Sequence, residues 1–214
     1  MELNNDITQI VSKEIIEKTL DLTIDFAEIG LDQFITNDVL GEIPIVKSIT
    51  AFYKIGNSVI NRHNTKKILN FFQEFNNNKI DDIKFNEFKH KFNTDQKYQS
   101  QVTETIILLN ERFLQVEKSK ILANLIIAHI ENNLTWDELT NTTIVLDIIQ
   151  PKAFSLLEEV SKFSHWSSHD FGEDIREGLI LAYGIGYKQG TQLFISETGK
   201  QLFNYGIKPA NLNQ

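Results

Sequence analysis

His165 and His169 stand four residues apart, with Asp170 directly after the second. On a helix that spacing puts both imidazoles on one face, and the aspartate could complete a zinc- or manganese-type ligand set. The surrounding run, Ser164-His165-Trp166-Ser167-Ser168-His169-Asp170-Phe171-Gly172, is serine-rich and reads as a solvated loop. The helical metalloprotease pattern needs glutamate after its first histidine, and Trp166 stands there. A hydrolase built on His165, His169 and Asp170 is therefore the third of three functional readings, and no metal is expected. Gly184-Ile185-Gly186-Tyr187-Lys188-Gln189-Gly190 resembles a phosphate loop only in its glycine content. Its last two glycines are separated by three residues, and no Gly-Lys-Ser/Thr closes it, so a β-turn is expected.

The remaining chemistry is equally sparse. There is no cysteine, which excludes disulfides, thiolate metal sites and a cysteine nucleophile. No Gly-x-Ser-x-Gly elbow occurs. Asp81-Asp82, Glu158-Glu159 and Glu173-Asp174 fall on expected helix starts or solvated faces, where carboxylates favour the helix dipole. His129, inside Ile126-Ile127-Ala128-His129-Ile130, reads as a hydrogen-bonded core histidine. The expectation is a protein that is not an enzyme and takes no cofactor or small-molecule substrate.

Charge narrows the partners. The net charge is −8, which repels nucleic acid and anionic lipid unless a local basic patch exists. Residues 61–100 form such an island, with 8 basic and 5 acidic side chains, and Phe85, Phe88, Phe92 and Tyr98 are interleaved with it. Three net charges are too few for strong counterion-release binding, so nucleic acid is not the expected partner there. Residues 43–61 are the most unusual stretch, because their only charges are Lys47 and Lys54, seven apart on one helical face. Two readings stay open for it. It is a bundle helix whose lysines reach solvent, or an interaction face that meets a membrane or a partner through Ile45, Val46, Lys47, Ile49, Phe52 and Lys54. No stretch reads as a signal peptide and no long apolar run could span a bilayer, so the expected location is cytoplasmic or peripheral to the membrane. Abundant asparagine and lysine suit a bacterial gene.

The elements that must position these residues are mainly helices. No glycine occurs from Asn57 to Phe171, and Pro151 is the only proline there, so long helices are permitted. Apolar residues at three- and four-residue spacing predict helices over 6–36, 44–75, 80–91, 95–115, 117–132, 135–150 and 151–163. The stripe of the first is Ile7, Ile10, Val11, Leu20, Ile24, Ala27, Leu31 and Phe34. The inner face of the third is expected to be Ile80, Ile83, Phe88 and Phe92. Residues 117–132 are apolar nearly all round and should be central. Thr135-Trp136-Asp137-Glu138 matches a capping box. Helix 173–183, a wing tip over 184–192, a strand at 193–195 and a helix from Ser196 to Tyr205 complete the chain.

Two resemblances follow from these residues. Gly178-Leu179-Ile180, followed by Leu193-Phe194-Ile195-Ser196-Glu197-Thr198-Gly199-Lys200-Gln201-Leu202, resembles the closing half of a winged-helix domain. That resemblance implies a DNA-binding regulator or a protein-contact module, with Arg176 and Lys188 as the DNA contacts. Glu173-Asp174-Ile175-Arg176-Glu177 is too acidic for an ordinary recognition helix. Glu42-Ile43-Pro44-Ile45-Val46-Lys47, Tyr53-Lys54-Ile55-Gly56, Asn61-Arg62-His63 and Lys120-Ile121-Leu122-Ala123-Asn124-Leu125 are similar to uncharacterised helical proteins of bacteria and their prophages, which implies a role in phage defence. The expected fold is mainly α: a bundle of about seven helices with a small C-terminal winged-helix-like segment, divided as 1–133 and 134–214. The expected function is a non-enzymatic interaction protein that self-associates, binds a protein partner or meets a membrane surface. The alternative is a winged-helix DNA-binding regulator.

Overall fold

In a computed structural model the described residues are 3–20, 44–52, 59–162, 166–167 and 175–211. They are mainly helical, with a small antiparallel sheet near the C-terminus that gives the chain its winged segment. Two compact units divide between Ala123 and Asn124. The division expected from sequence, between 133 and 134, lies ten residues further on.

The N-terminal unit contains α1 (Leu3–Glu17), α2 (Pro44–Phe52), α3 (Val59–Asn77), α4 (Asp82–Thr94), α5 (Gln96–Arg112) and the first half of α6 (Glu117–Ile130). Helix α1 packs on α2 and α5, and α5 also packs on α3 and α4. The core is aliphatic from α1 and α2 (Val11, Ile15, Val46, Ile49) and aromatic from α3 and α4 (Phe71, Phe72, Phe75, Phe92), all almost fully buried. Phe71 meets Phe72 edge-on, with ring centroids 5.2 Å apart.

The expected helix 6–36 stops at Glu17. Lys18 adopts a left-handed φ of 50°, and its amide bonds to the Glu14 carbonyl at 2.9 Å. The cause is polar. The buried Glu14 carboxylate accepts from the Thr19 hydroxyl at 2.5 Å, the Leu20 amide at 2.9 Å and the Asn76 side-chain amide at 2.9 Å. These bonds hold the chain in a turn that a continuing helix could not make. The rest of that expected stripe, Ile24 to Phe34, lies outside the described residues. The expected helix 44–75 is described as α2 and α3, and residues 53–58 between them lie outside the description. Ile83, expected inside, is 71% exposed. It sits five residues before Phe88, about 140° round the helix from it, so it cannot share the Phe88–Phe92 face.

The C-terminal unit contains the second half of α6, α7 (Trp136–Ile148), α8 (Lys152–Ser161), β1 (Trp166–Ser167), α9 (Ile175–Ala182), β2 (Gly186–Gln189), β3 (Gln192–Ile195), α10 (Glu197–Gln201) and a π-helical turn, Leu202–Ile207. Every residue from Ile121 to Ala128 is buried, as a helix apolar all round requires. Strand β3 is central: it pairs antiparallel with β1 on one side and β2 on the other. Trp166 and Ser167, read from sequence as loop, thus supply a short edge strand opposite Leu193 and Gln192. Five residues expected in the wing tip, Gly186 to Gln189 and Gln192, are strand, and the turn itself narrows to Gly190-Thr191, with Gly190 at φ 63°. Helix α8 packs on α9, β3 and the π-helical turn, and α10 packs on α7.

Candidate functional site

The outward face of α9 and the wing form the candidate site. Ile175, Gly178 and Ala182 recur at three- and four-residue spacing, and all three are exposed, Ile175 to 73%. Ile180, between them in sequence, is fully buried and anchors the helix. The face is therefore apolar and small. Glu177, which made this helix look acidic, is buried and ion-paired to Lys188 of β2. That pair joins α9 to the wing and occupies the cation expected to contact DNA. Arg176 lies in α9, and its side chain is not described. On the wing, Lys188, Gln189, Gly190 and Thr191 are exposed, and Tyr187 stacks on Phe194 with centroids 5.5 Å apart.

The face read from residues 43–60 is placed differently. Ile45, Val46 and Ile49 are buried within the N-terminal unit, where α2 packs on α1. They belong to the chain's own core, so of the two readings the bundle helix holds for these three residues, and the interaction face expected through them is corrected. Lys47 points to solvent, Phe52 is half-buried, and Lys54 lies outside the described residues. The pattern left both readings open because an amphipathic helix looks the same whether its apolar side meets lipid or a neighbouring helix.

The aromatic side chains of the basic island are likewise packed inside. Phe88, Phe92 and Tyr98 are buried, and Phe88 stacks against Phe85 with centroids 6.2 Å apart. The island's own lysines cover two of the rings: Lys89 lies 4.3 Å from the Phe85 centroid and Lys91 lies 3.9 Å from that of Tyr98. Burial, reinforced by Asp95, pushes the Tyr98 phenol up to about 12. These rings form no platform on which bases could stack.

Three polar constellations escaped the sequence reading. The first is Glu14 with Thr19, Leu20 and Asn76, described above. Its signal was present, because Glu14 stands three residues after Val11 and seven after Ile7, on the apolar stripe. The second is Lys67 on α3, 1% exposed, whose ammonium donates to the carbonyls of Glu111 at 3.0 Å and Phe113 at 2.7 Å. Burial lowers its pKa to about 8, while the Glu111 carboxylate acts in the opposite sense. One turn earlier, His63 Nε2 meets the Leu114 carbonyl at 2.9 Å. Together they bind the carbonyl end of α5 and the turn after it. The third is Glu177 with Lys188.

What these groups can do chemically is hold structure. Lys67 has no room for a substrate. Two of the grooves among the described residues show no catalytic arrangement either. One, of about 390 Å³, runs along α1 past Ser12, Lys13, Phe92 and Gln99. The other, of about 420 Å³, lies under the wing against Ser161, Tyr187, Phe194, Lys200 and Asn204. Ser12 shares a hydrogen bond with Thr103 at 3.0 Å, and Ser161 donates to the Leu157 carbonyl at 2.6 Å. Neither serine is bonded to a histidine or a carboxylate, the arrangement that activates a hydroxyl. His129 Nδ1 bonds to the Leu134 carbonyl at 2.8 Å. Among the described residues no group of three histidines or carboxylates could hold a metal ion, and His165, His169 and Asp170 lie outside them. No helix among them is long and apolar enough to cross a membrane. No family model matches the chain, and no curated protein or solved structure shows significant similarity to it.

Proposed function

We infer that the chain is a non-enzymatic interaction protein whose winged segment makes protein contacts, the first of them with a second copy of itself. The observation that carries this reading is the exposed face Ile175–Gly178–Ala182 on α9, at the position where a winged helix presents its recognition surface. Among the described side chains this face has no charge and little bulk, which lets another helix approach closely and gives a phosphate backbone little to hold. The resemblance read from the sequence to helical proteins of bacteria and prophages extends the same proposal to a setting, phage defence, which no matching family model or curated protein supports. Sedimentation equilibrium tests it. Wild type is expected to self-associate, and Ile175→Glu, at an exposed position, is expected to be monomeric and folded. Wild type that stays monomeric at every concentration would remove the reading.

A second reading, a DNA-binding regulator, is favoured by the strand order β1-β3-β2 with α9 ahead of the wing. It requires salt-dependent binding to duplex DNA, weakened by Arg176→Glu and Lys188→Glu. Against it stand the net charge of −8 and the Glu177–Lys188 pair. Fluorescence anisotropy at low ionic strength decides: a shift with duplex would put this reading first.

A further inference from the structure

We propose that one end of the N-terminal unit docks on an anionic lipid surface, with Val59, Ile60 and Leu114 entering the interface and nearby cations seated against the headgroup phosphates. These three side chains are exposed to 61%, 70% and 77%. They come from two distant places in the sequence, the first turn of α3 and the turn between α5 and α6. The structure brings those places together. His63 holds the Leu114 carbonyl at 2.9 Å, and Lys67 holds the carbonyls of Glu111 and Phe113. Val59 and Ile60 precede His63 by four and three residues, so they share its face of α3, one turn beyond the contact with Leu114. The result is a group of large aliphatic side chains on one surface of the unit, held by the His63 and Lys67 contacts beside it. Exposed apolar clusters of this kind mark contact sites.

Charge selects the occupant. From Ile43 to Gln73 the sequence has no carboxylate, in a chain whose net charge is −8. In sequence the three apolar residues are flanked by Arg62, Lys66, Arg112 and Lys120, against Glu111 and Glu117. Aliphatic tips flanked by an excess of cationic residues fit the boundary between headgroups and acyl chains, where lysine and arginine stems extend toward phosphate. The docking is shallow, since no described helix could span the bilayer. This surface lies in the N-terminal unit.

The absence of cysteine allows a clean test. Leu114→Cys is labelled with an environment-sensitive fluorophore, and Ile144→Cys, 58% exposed on α7, serves as the control. Each is mixed at low ionic strength with vesicles containing phosphatidylglycerol or with pure phosphatidylcholine vesicles. The protein should co-sediment with the anionic vesicles alone, with a blue shift at position 114 and none at 144. Added salt should release it. Leu114→Glu and Ile60→Glu, with unchanged circular dichroism, should each weaken binding about tenfold. Failure to co-sediment, or an equal response from both labels, would overturn the proposal. So would a lipid-free oligomer that Leu114→Glu dissociates, because the cluster would then belong to a protein contact.

Discussion

Lys67 shows how one residue can be decisive for the fold without being a site of chemistry. Its ammonium is buried with two backbone carbonyls, and its pKa falls from about 10.4 in an unfolded chain to about 8 in the folded one. Below pH 8 both states are protonated, and the folded state bears the cost of burying the charge. Between about 8 and 10.4 the unfolded chain binds more protons, so this group makes unfolding harder as pH rises. A neutral amine still has two N–H bonds for the two carbonyls, so the contacts survive deprotonation. Lys18, lowered by burial and by Lys89, acts in the same direction. Tyr98 sets the upper limit: its phenol is raised to about 12, so above about pH 10 it makes stability fall with pH. The urea midpoint of wild type should therefore rise from neutral pH to about pH 9.5 more steeply than that of Lys67→Met. Equal slopes would mean that the amine titrates as an exposed lysine does. Lys67 was invisible in the sequence, because its partners lie 44 and 46 residues away and are backbone atoms. Glu14 was legible, since a carboxylate on an apolar stripe needs buried donors.

At the scale of elements, local signals were readable and tertiary ones were not. The capping box forms as its spacing requires, with the Thr135 amide donating to Glu138 at 2.8 Å and the Glu138 amide to the Thr135 hydroxyl at 3.2 Å. Thr135→Ala should destabilise by about 1 kcal/mol. Ser196 caps α10 in the same local way, accepting from the Gly199 amide at 3.2 Å. The end of α1 was missed because Asn76, far along the chain, helps to fix it. The strand at Trp166–Ser167 was missed because two residues carry no periodicity, and their pairing comes from β3. Gly199 separates propensity from packing. Alanine in place of a helical glycine ordinarily stabilises by about 1 kcal/mol. Here a Cβ would run into the Ile185 carbonyl and lie 2.6 Å from Ile195 Cγ2. Backbone cannot yield cheaply, so Gly199→Ala should instead lose about 1–3 kcal/mol in urea unfolding. A stabilised variant would mean that Ile185 gives way.

For the molecule as a whole, net charge sets an expectation that no single contact does. A net charge of −8 makes the compact state repel itself. Salt screens that repulsion, and it also screens attractive pairs, so the sign of the salt effect depends on which is larger. Lys13–Glu17, Glu158–Lys162 and Glu197–Lys200 are three- or four-residue helix pairs at 3.2–3.7 Å. Pairs of this kind contribute about 0.3–0.5 kcal/mol each. Glu177–Lys188 is the better sheltered pair, and screening reaches it least. The charge arrangement along the chain opposes the repulsion in part, since residues 61–100 carry a positive excess between two acidic stretches. That excess is three charges against eleven, so repulsion is the larger quantity. Thermal unfolding should therefore move to higher temperature as sodium chloride is raised from about 0.01 M to about 0.15 M, where the screening length falls from about 30 Å to about 8 Å. Scanning calorimetry at the two salt concentrations measures it. A lower transition temperature at the higher salt would mean that attraction between the basic island and the acidic segments outweighs the repulsion, and that the island's charge is committed to the fold and withheld from any lipid surface.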